Sequence, residues 1–345
     1  MSWHYTCNNK KFIDKIAVLR EHNVSKQAVK FVTPKEFDSF DFSVEPKETL
    51  DELCTTRAWD LRKNNEKIVI WYSGGCDSHY IFTIFLKHNI KIDEIVMVKS
   101  GFKDADYEID RYAIPFARAT NIKFTVRQPD ISYYEDFYIN KKPMLGSAHN
   151  MWHHFRLNNH FENLKHCDID GVANIFGKEK PTLDYINGKW YTYLLDGAVT
   201  PQPHQINFFC DDPKIHSKQS HMLMNRIEQM KQQTEYAYLT KNLFQKQDFW
   251  NRAIGRYDKD TFPVKFLSYN EQYNQKDALA IKQAPEHIVE AWKSYKLRLV
   301  EDLGSQHFNN GDPGLGTVGV FSPFFCLSDK GHKTVDDLYP DGYKT

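Results

Sequence analysis

The sequence contains no pair of cysteines at the spacing of a metal-binding or redox motif. Its six cysteines are scattered, at positions 7, 54, 76, 167, 210 and 326, and no Cys-x-x-Cys occurs. This pattern argues against a zinc ribbon, a thioredoxin-type site and a disulfide framework. We therefore expect reduced thiols and a cytoplasmic location.

Long apolar runs and an excess of one charge are also missing. No run approaches the ~20 apolar residues that a membrane-spanning helix needs, and the first residues lack the basic and then apolar pattern of a signal peptide. Lys and Arg together number 45, as do Asp and Glu, so no net charge attracts nucleic acid or an anionic membrane. The composition indicates neither a membrane nor nucleic acid as a partner, and it leaves homo-oligomerisation open.

One stretch of the chain combines a strand pattern, a polar turn and a helix pattern. Residues 67–72 are β-branched and aromatic, as in a strand interior, and residues 79–86 are apolar at helical spacing. Between them lies Ser73-Gly-Gly-Cys-Asp-Ser78. Adjacent glycines let a backbone approach a ligand closely, and amides at a helix N-terminus attract anions. The stretch therefore predicts a phosphate-binding loop.

The spacing of this loop excludes two common phosphate motifs, because neither Gly-x-x-x-x-Gly-Lys-Ser/Thr nor Gly-x-Gly-x-x-Gly is present there. Ser-Gly-Gly-x-Asp-Ser directly after a strand resembles the PP-loop of the ATP pyrophosphatase superfamily. The resemblance implies an adenine nucleotide alpha hydrolase-like (HUP) fold, ATP and Mg²⁺ as ligands, and conversion of ATP to AMP and pyrophosphate. It also implies that the nucleotide contacts the whole loop: Ser73, Gly74, Gly75, Cys76, Asp77 and Ser78.

The resemblance assigns further roles near this loop. Asp77 is expected to be a catalytic residue, acting either as a metal ligand or as a structural anchor of the turn. The end of the following strand commonly holds the adenine in the family, which implies that Val98, Lys99 and Ser100 lie near the base. An exposed lysine at a strand end is the alternative for Lys99.

A second loop is predicted to open on the same edge of the sheet. Residues 172–176 form a short apolar strand followed by Gly177-Lys-Glu-Lys-Pro181. By resemblance, Gly177 contacts the nucleotide, and Lys178 or Lys180 is the basic catalytic group on the departing pyrophosphate. A solvated Lys-Glu-Lys turn is the alternative. The family's Gly-His or Asp-rich forms of this loop are absent, so no subfamily is selected.

Strand and helix patterns alternate along the middle of the chain, with strands predicted at residues 93–99, 123–127 and 172–176 and a helix at 104–121. Such alternation predicts an α/β fold with a parallel, doubly wound sheet. We expect an N-terminal helical extension over residues 1–66, the nucleotide-binding domain over 67–212, and a mostly helical substrate or lid domain over 213–345. The extension should hold helices at 10–22 and 46–64. Asn187-Gly188 predicts a hairpin.

Other polar groups are candidates for substrate or phosphate contacts, or belong to solvated faces. They are residues 218–221, Arg252 with Arg256, and Lys276 with Asp277. The glycine-rich tail from residue 304 predicts either a loop that covers a site or an edge of the fold.

Three functions remain open from the sequence. The first is an adenylating ligase similar in layout to the synthetase domain of asparagine synthetase. It would activate a substrate oxygen, on a small molecule or a macromolecule, for attack by a nitrogen nucleophile. No glutaminase domain is expected, because position 2 is Ser2 and 66 residues precede the loop strand. The second is a phosphoadenylylsulfate reductase or sulfur-transfer protein, although Cys326 lacks that branch's motif. The third is a non-catalytic nucleotide-binding module.

Overall fold

The structure, a computed structural model, describes residues 3–128, 134–135, 138–139, 169–177, 181–196, 205–230, 269–308 and 319–340. Among the helices of these segments, none is both long enough and apolar enough to cross a membrane. The cysteines that can be described are all free thiols.

The N-terminal region is not only helical, as the sequence predicted, but contains a three-stranded antiparallel sheet. Its strands are β1 (His4–Cys7), β2 (Lys10–Phe12) and β3 (Lys30–Val32), in the order β2-β1-β3. These strands are three or four residues long, which is too short to show a clear alternation of apolar and polar residues. The helical extension was therefore a wrong prediction in part.

The first helix begins later than predicted. Helix α1 spans Lys15–Ser25, and its N-cap Asp14 accepts a hydrogen bond from the Ala17 amide at 2.8 Å. Asn8 and Asn9 have φ values of 50° and 58°, a left-handed conformation that asparagine tolerates better than most residues. The turn formed by these two residues joins β1 to β2, so the start of the predicted helix becomes a strand.

Two further helices precede the central sheet. The short α2 spans Lys35–Ser39, and α3 spans Leu50–Asn64. Thr49 and Glu52 form a reciprocal capping box at the start of α3, which satisfies two backbone amides of the first turn. The helix predicted over residues 46–64 is confirmed over Leu50–Asn64, and the cap at Thr49 makes it begin four residues later than predicted.

A five-stranded parallel sheet forms the centre of the fold, which confirms the predicted α/β class. Its strands are β4 (Lys67–Trp71), β5 (Glu94–Val98), β6 (Phe124–Arg127), β7 (Val172–Phe176) and β10 (Gln205–Asn207), in the order β10-β7-β4-β5-β6. The chain moves outward from β4 through β5 to β6 and then crosses back to β7. The order therefore reverses between β4 and β7, and ligands of open α/β sheets bind at such a point, beyond the carboxyl ends of the strands.

The connections on this sheet differ in regularity. Helix α4 (Cys76–Lys87) joins β4 to β5. After β5, a π-helical turn over Ile109–Ala113 leads into α5 (Ile114–Arg118). The helix predicted over 104–121 is therefore shorter than expected and begins with wide, i→i+5 bonding, which is often found at functional sites.

A second, antiparallel sheet joins distant parts of the chain. It consists of β8 (Thr182–Ile186), β9 (Lys189–Tyr193), β11 (Phe324–Cys326) and β12 (His332–Lys333), in the order β12-β11-β9-β8. Asn187 and Gly188, with φ values of 50° and 79°, form the predicted hairpin turn, whose geometry requires positive φ at both positions. The described part of the tail, residues 319–340, contributes β11 and β12 to this sheet. The glycine-rich stretch at 309–318 lies outside the described residues, so the two alternatives for the tail stay predictions.

The described residues after position 212 are largely helical, as predicted. Helix α6 spans Pro213–Met230, α7 spans Tyr269–Gln283, α8 spans Glu286–Leu303, and the short α9 spans Val335–Leu338. Helix α6 packs on α3, and α8 packs on α1. Since the antiparallel sheet takes strands from both sides of position 212, the division into domains at that position stays a prediction.

Candidate functional site

The predicted phosphate loop lies where the sheet order reverses. It follows β4, and Gly75 is the N-cap of α4. Because its N-cap is a glycine, the N-cap residue offers no side chain to the first amides of this helix, and Asp77 lies in its first turn. A helix N-terminus at this edge of a parallel sheet is suited to binding an anion.

Two serine hydroxyls hold the loop together from inside. The Ser78 hydroxyl donates to the Gly75 carbonyl at 3.0 Å and accepts from the Ser73 amide at 3.2 Å. The Ser73 hydroxyl lies 3.1 Å from that of Ser78 and accepts from the Gly75 amide at 3.3 Å. Ser78 is buried. Its hydroxyl therefore stabilises the turn, and its predicted contact with the nucleotide stays a prediction.

The first glycine of the loop packs directly on the chain segment that follows β5. Gly74 has a φ of +75°, and a Cβ added to it would lie 2.5 Å from the Glu108 carbonyl oxygen and 3.4 Å from the Ala113 Cβ. Glu108 and Ala113 flank and end the π-helical turn. Only glycine can therefore occupy this position without displacing either the loop or that turn.

The loop after β7 meets the phosphate loop, as the sequence predicted. A Cβ on Gly177 would lie 2.5 Å from the Ser78 amide nitrogen and 2.7 Å from the Asp77 carbonyl carbon. The backbone at Gly177 is thus in contact with the first turn of α4. Lys178 and Lys180, the predicted catalytic lysines, lie outside the described residues.

The three residues at the end of β5 that were predicted to lie near an adenine base are buried or bonded to other protein groups. Val98 is buried, and Lys99 Nζ lies 2.9 Å from both carboxylate oxygens of Asp110. The Ser100 amide and hydroxyl both donate to Asp106 Oδ2 at 2.7 Å, and its carbonyl accepts from Tyr134. Every polar group of Ser100 thus bonds within the protein, which does not favour a contact with a base.

A buried hydrogen-bonded pair, Tyr72 and His79, flanks the phosphate loop in the sequence. The Tyr72 hydroxyl and His79 Nδ1 lie 2.8 Å apart, and the rings of His79 and Phe116 form a T-shaped pair with their centroids 4.6 Å apart. Burial raises the pKa of Tyr72 and lowers the pKa of His79 to about 4. Tyr72 and His79 are therefore both neutral near pH 7 and add no charge next to the phosphate loop.

Buried histidines predict a loss of stability in acid. Burial lowers the pKa of His79 to about 4 and that of His216 to about 3, whereas both take up a proton near pH 6.5 in the unfolded chain. Unfolding therefore binds protons below pH 6.5. The free energy of unfolding should fall as the pH drops from 6.5 toward 4, by up to about 1.4 kcal/mol per pH unit for each histidine.

Urea denaturation at pH 7, 6 and 5 would measure this slope. His216→Gln, whose amide can take the place of the imidazole Nε2 in the hydrogen bond of 2.9 Å to Thr192 Oγ1, should flatten it. His332→Gln is the control, because His332 is exposed. Equal slopes in the wild type and His216→Gln would contradict the prediction.

Two of the other polar groups that the sequence suggested as substrate or phosphate contacts, residues 218–221 and Lys276, lie in different parts of the fold. In residues 218–221, Lys218 pairs with Glu45, and His221 lies 2.9 Å from the Phe42 carbonyl, so these side chains hold the N-terminal segment against α6. Lys276 instead reaches Glu108, beside the phosphate loop. Sequence reasoning missed Glu108, because nothing in its local pattern indicates that its carbonyl faces Gly74.

Among the described residues at the loop, one carboxylate, that of Asp77, lies in the first turn of α4. Within the described segments, no group of three or more His, Cys, Asp or Glu side chains could hold a metal ion. Mg²⁺ is commonly held by one or two carboxylates together with substrate phosphates. Asp77, half-buried in the first turn of α4, is the carboxylate suited to that arrangement.

The second functional alternative, sulfur transfer, gains nothing from the position of Cys326. This residue is buried in β11 and pairs with Tyr191 of β9. A reactive cysteine needs access to its substrate.

No protein-family model matches the sequence, and no curated protein is significantly similar to it. The fold and the loop define a class of protein: an α/β protein with a five-stranded parallel sheet and a glycine-containing loop at the helix N-terminus where its strand order reverses.

Proposed function

We propose that this chain is an adenylating enzyme of the ATP pyrophosphatase type, with a HUP-like nucleotide-binding domain. The observation that supports the proposal best is the meeting of two loops at the reversal of the sheet. The loop after β4 ends at the N-terminus of α4, and Gly177 packs against the same helical turn. Together with the order Ser-Gly-Gly-x-Asp-Ser, this favours a site for a polyphosphate.

The proposed reaction begins with attack of a substrate oxygen on the α-phosphorus of ATP. An oxygen–phosphorus bond forms, the bond from the α-phosphorus to the α,β-bridging oxygen breaks, and pyrophosphate leaves. A nitrogen nucleophile would then displace AMP from the activated substrate. Negative charge develops on the leaving pyrophosphate, and preorganised amides and a helix N-terminus stabilise such charge.

The residues of this chain have separate tasks in the proposal. Gly74 and Gly75 would let the loop backbone approach the phosphates, and the serine hydroxyls would keep that backbone in shape. Asp77 would hold Mg²⁺, which neutralises phosphate charge when bound. The acceptor could be a small molecule or a group on a macromolecule.

The proposal predicts that ATP is converted to AMP and not to ADP. Protein incubated with α-labelled ATP, Mg²⁺ and a cell extract should release labelled AMP, and Asp77→Ala should lower the rate at least tenfold. Asp60→Ala, which removes an exposed aspartate of α3, is the matched control and should leave the rate unchanged.

Two results would contradict the proposed reaction. Formation of ADP would mean that the loop does not direct attack to the α-phosphorus. Binding of ATP without turnover in any extract fraction would favour the non-catalytic nucleotide-binding module instead.

A further inference from the structure

A buried ion pair joins the C-terminal helices to the segment beside the phosphate loop. Lys276 Nζ on α7 lies 3.1 Å from Glu108 Oε2, and the two side chains are 6% and 11% exposed. The ammonium also lies 5.0 Å from the centre of the Tyr107 ring. Two charges this deeply buried are expensive to leave uncompensated, so the state of either one affects its surroundings.

Glu108, which supplies the carboxylate of this pair, is also the residue whose backbone packs against Gly74 of the phosphate loop. The Glu108 carbonyl oxygen would lie 2.5 Å from a Cβ on Gly74. One residue therefore carries both the backbone contact with the loop and a buried negative charge. A carboxylate at this position would repel a polyphosphate in the loop unless a cation neutralised it.

Helix α7 is held against the same segment at a second place. Gln283 accepts a hydrogen bond from the Lys103 amide and donates one to the Lys103 carbonyl, each at 2.8 Å. Ala280 belongs to one apolar cluster with Phe102 and Ala105. The position of Lys276 is thus fixed by contacts that its own helix makes one and two turns further along, at Ala280 and Gln283.

We propose that Glu108 and Lys276 are positioning residues of the polyphosphate site. Glu108 supports Gly74 through its backbone, and Lys276 cancels the charge that this support brings next to the loop. Lys276 acts through Glu108 and does not contact the phosphates. The inference depends on the proposed function, because it assumes that the loop binds a polyphosphate.

The two single variants separate an electrostatic role from a structural one. In Lys276→Met the carboxylate loses its cation, and binding of inorganic pyrophosphate should weaken by roughly 10- to 100-fold. In Glu108→Gln the lysine charge is no longer cancelled, and pyrophosphate should bind as tightly as to the wild type or more tightly. The double variant Glu108→Gln/Lys276→Met should return to within about threefold of the wild type, because both charges are gone.

Calorimetric titration of the full-length proteins with pyrophosphate and Mg²⁺ would measure these affinities, with thermal melting recorded in parallel. Lys276→Arg keeps the charge and should bind like the wild type, so it tests the inference even if Lys276→Met does not fold. Opposite shifts in the two single variants would support the electrostatic role.

Three results would overturn the inference. Equal weakening in both single variants would make the pair a purely structural contact. A double variant as weak as Lys276→Met would mean that the lysine itself contacts the phosphates. A wild-type protein that binds neither pyrophosphate nor ATP would overturn the proposed function together with the inference, whereas the first two results leave the proposed function standing.

Discussion

Replacing Gly74 with alanine is expected to lower the proposed ATP turnover by about 100-fold and the free energy of unfolding by about 2–5 kcal/mol. The φ of +75° would cost an alanine about 1–2 kcal/mol. Its Cβ would also lie 2.5 Å from the Glu108 carbonyl oxygen, and relieving such an overlap in a packed interior costs typically 1–3 kcal/mol. Either the loop or the π-helical turn must move, and displacements near 1 Å reduce catalysis by roughly 100-fold.

Gly188 provides a matched control for this experiment. Its φ of +79° is close to that of Gly74, but no atom lies within 4 Å of an added Cβ. Gly188→Ala should therefore lose about 1–2 kcal/mol through backbone strain alone and keep its nucleotide affinity. Urea denaturation and ATP binding would compare the variants. If the two alanine variants behaved alike, the close contact of Gly74 with Glu108 would not constrain the loop.

The second large effect is expected at Asp196, which lies between three distant segments of the chain. Its Oδ2 atom is 2.6 Å from Lys15 Nζ and accepts a hydrogen bond from the Tyr5 hydroxyl at 3.0 Å, while Oδ1 accepts from the Val320 amide at 3.0 Å. Asp196→Ala would leave the buried ammonium of Lys15 without this carboxylate. Breaking a buried pair in this way costs about 3–5 kcal/mol, so the midpoint of urea denaturation should fall strongly.

Asp329 is the matched control for Asp196, because it also pairs with a lysine. The Lys189 and Asp329 side chains are 48% and 59% exposed, against 7% and 0% for Lys15 and Asp196. Asp329→Ala should cost less than about 1 kcal/mol, since exposed pairs contribute little. A loss at Asp196 as small as that at Asp329 would show that the region around Lys15 can relax and admit water.

The part of the fold that could be predicted from sequence depends on local patterns. The strand, loop and helix around Ser73 are adjacent in the chain, and each has a clear pattern of apolar residues or glycine. Val172–Phe176 was also predicted correctly, because buried parallel strands are rich in apolar residues and four of its five residues are apolar, Asn174 being the exception. Gly177 then had to lie near the loop, since the carboxyl ends of parallel strands share one edge of the sheet.

The features of the fold and site that could not be predicted from the sequence depend mostly on contacts between residues that are far apart in the chain. The packing of Glu108 on Gly74 follows from a π-helical turn, which has no recognisable pattern of its own. The ion pair of Glu108 with Lys276 spans 168 positions. The N-terminal strands are stabilised by pairing with one another, and three-residue strands such as β2 give too little periodicity to be distinguished from the start of a helix.

The antiparallel sheet has a consequence for the order in which the protein acquires its structure during synthesis. Leu194 donates to the Ser322 hydroxyl across 128 positions, and Lys189 pairs with Asp329 across 140. When the β8–β9 hairpin leaves the ribosome, the strand that covers its edge has not yet been translated. Because translation proceeds at about 5–20 residues per second, the edge of β9 stays unpaired for at least several seconds before β11 is made. The nascent chain is therefore most exposed to strand-mediated aggregation during this interval, after the strands of the parallel sheet have been made and before the antiparallel sheet is complete.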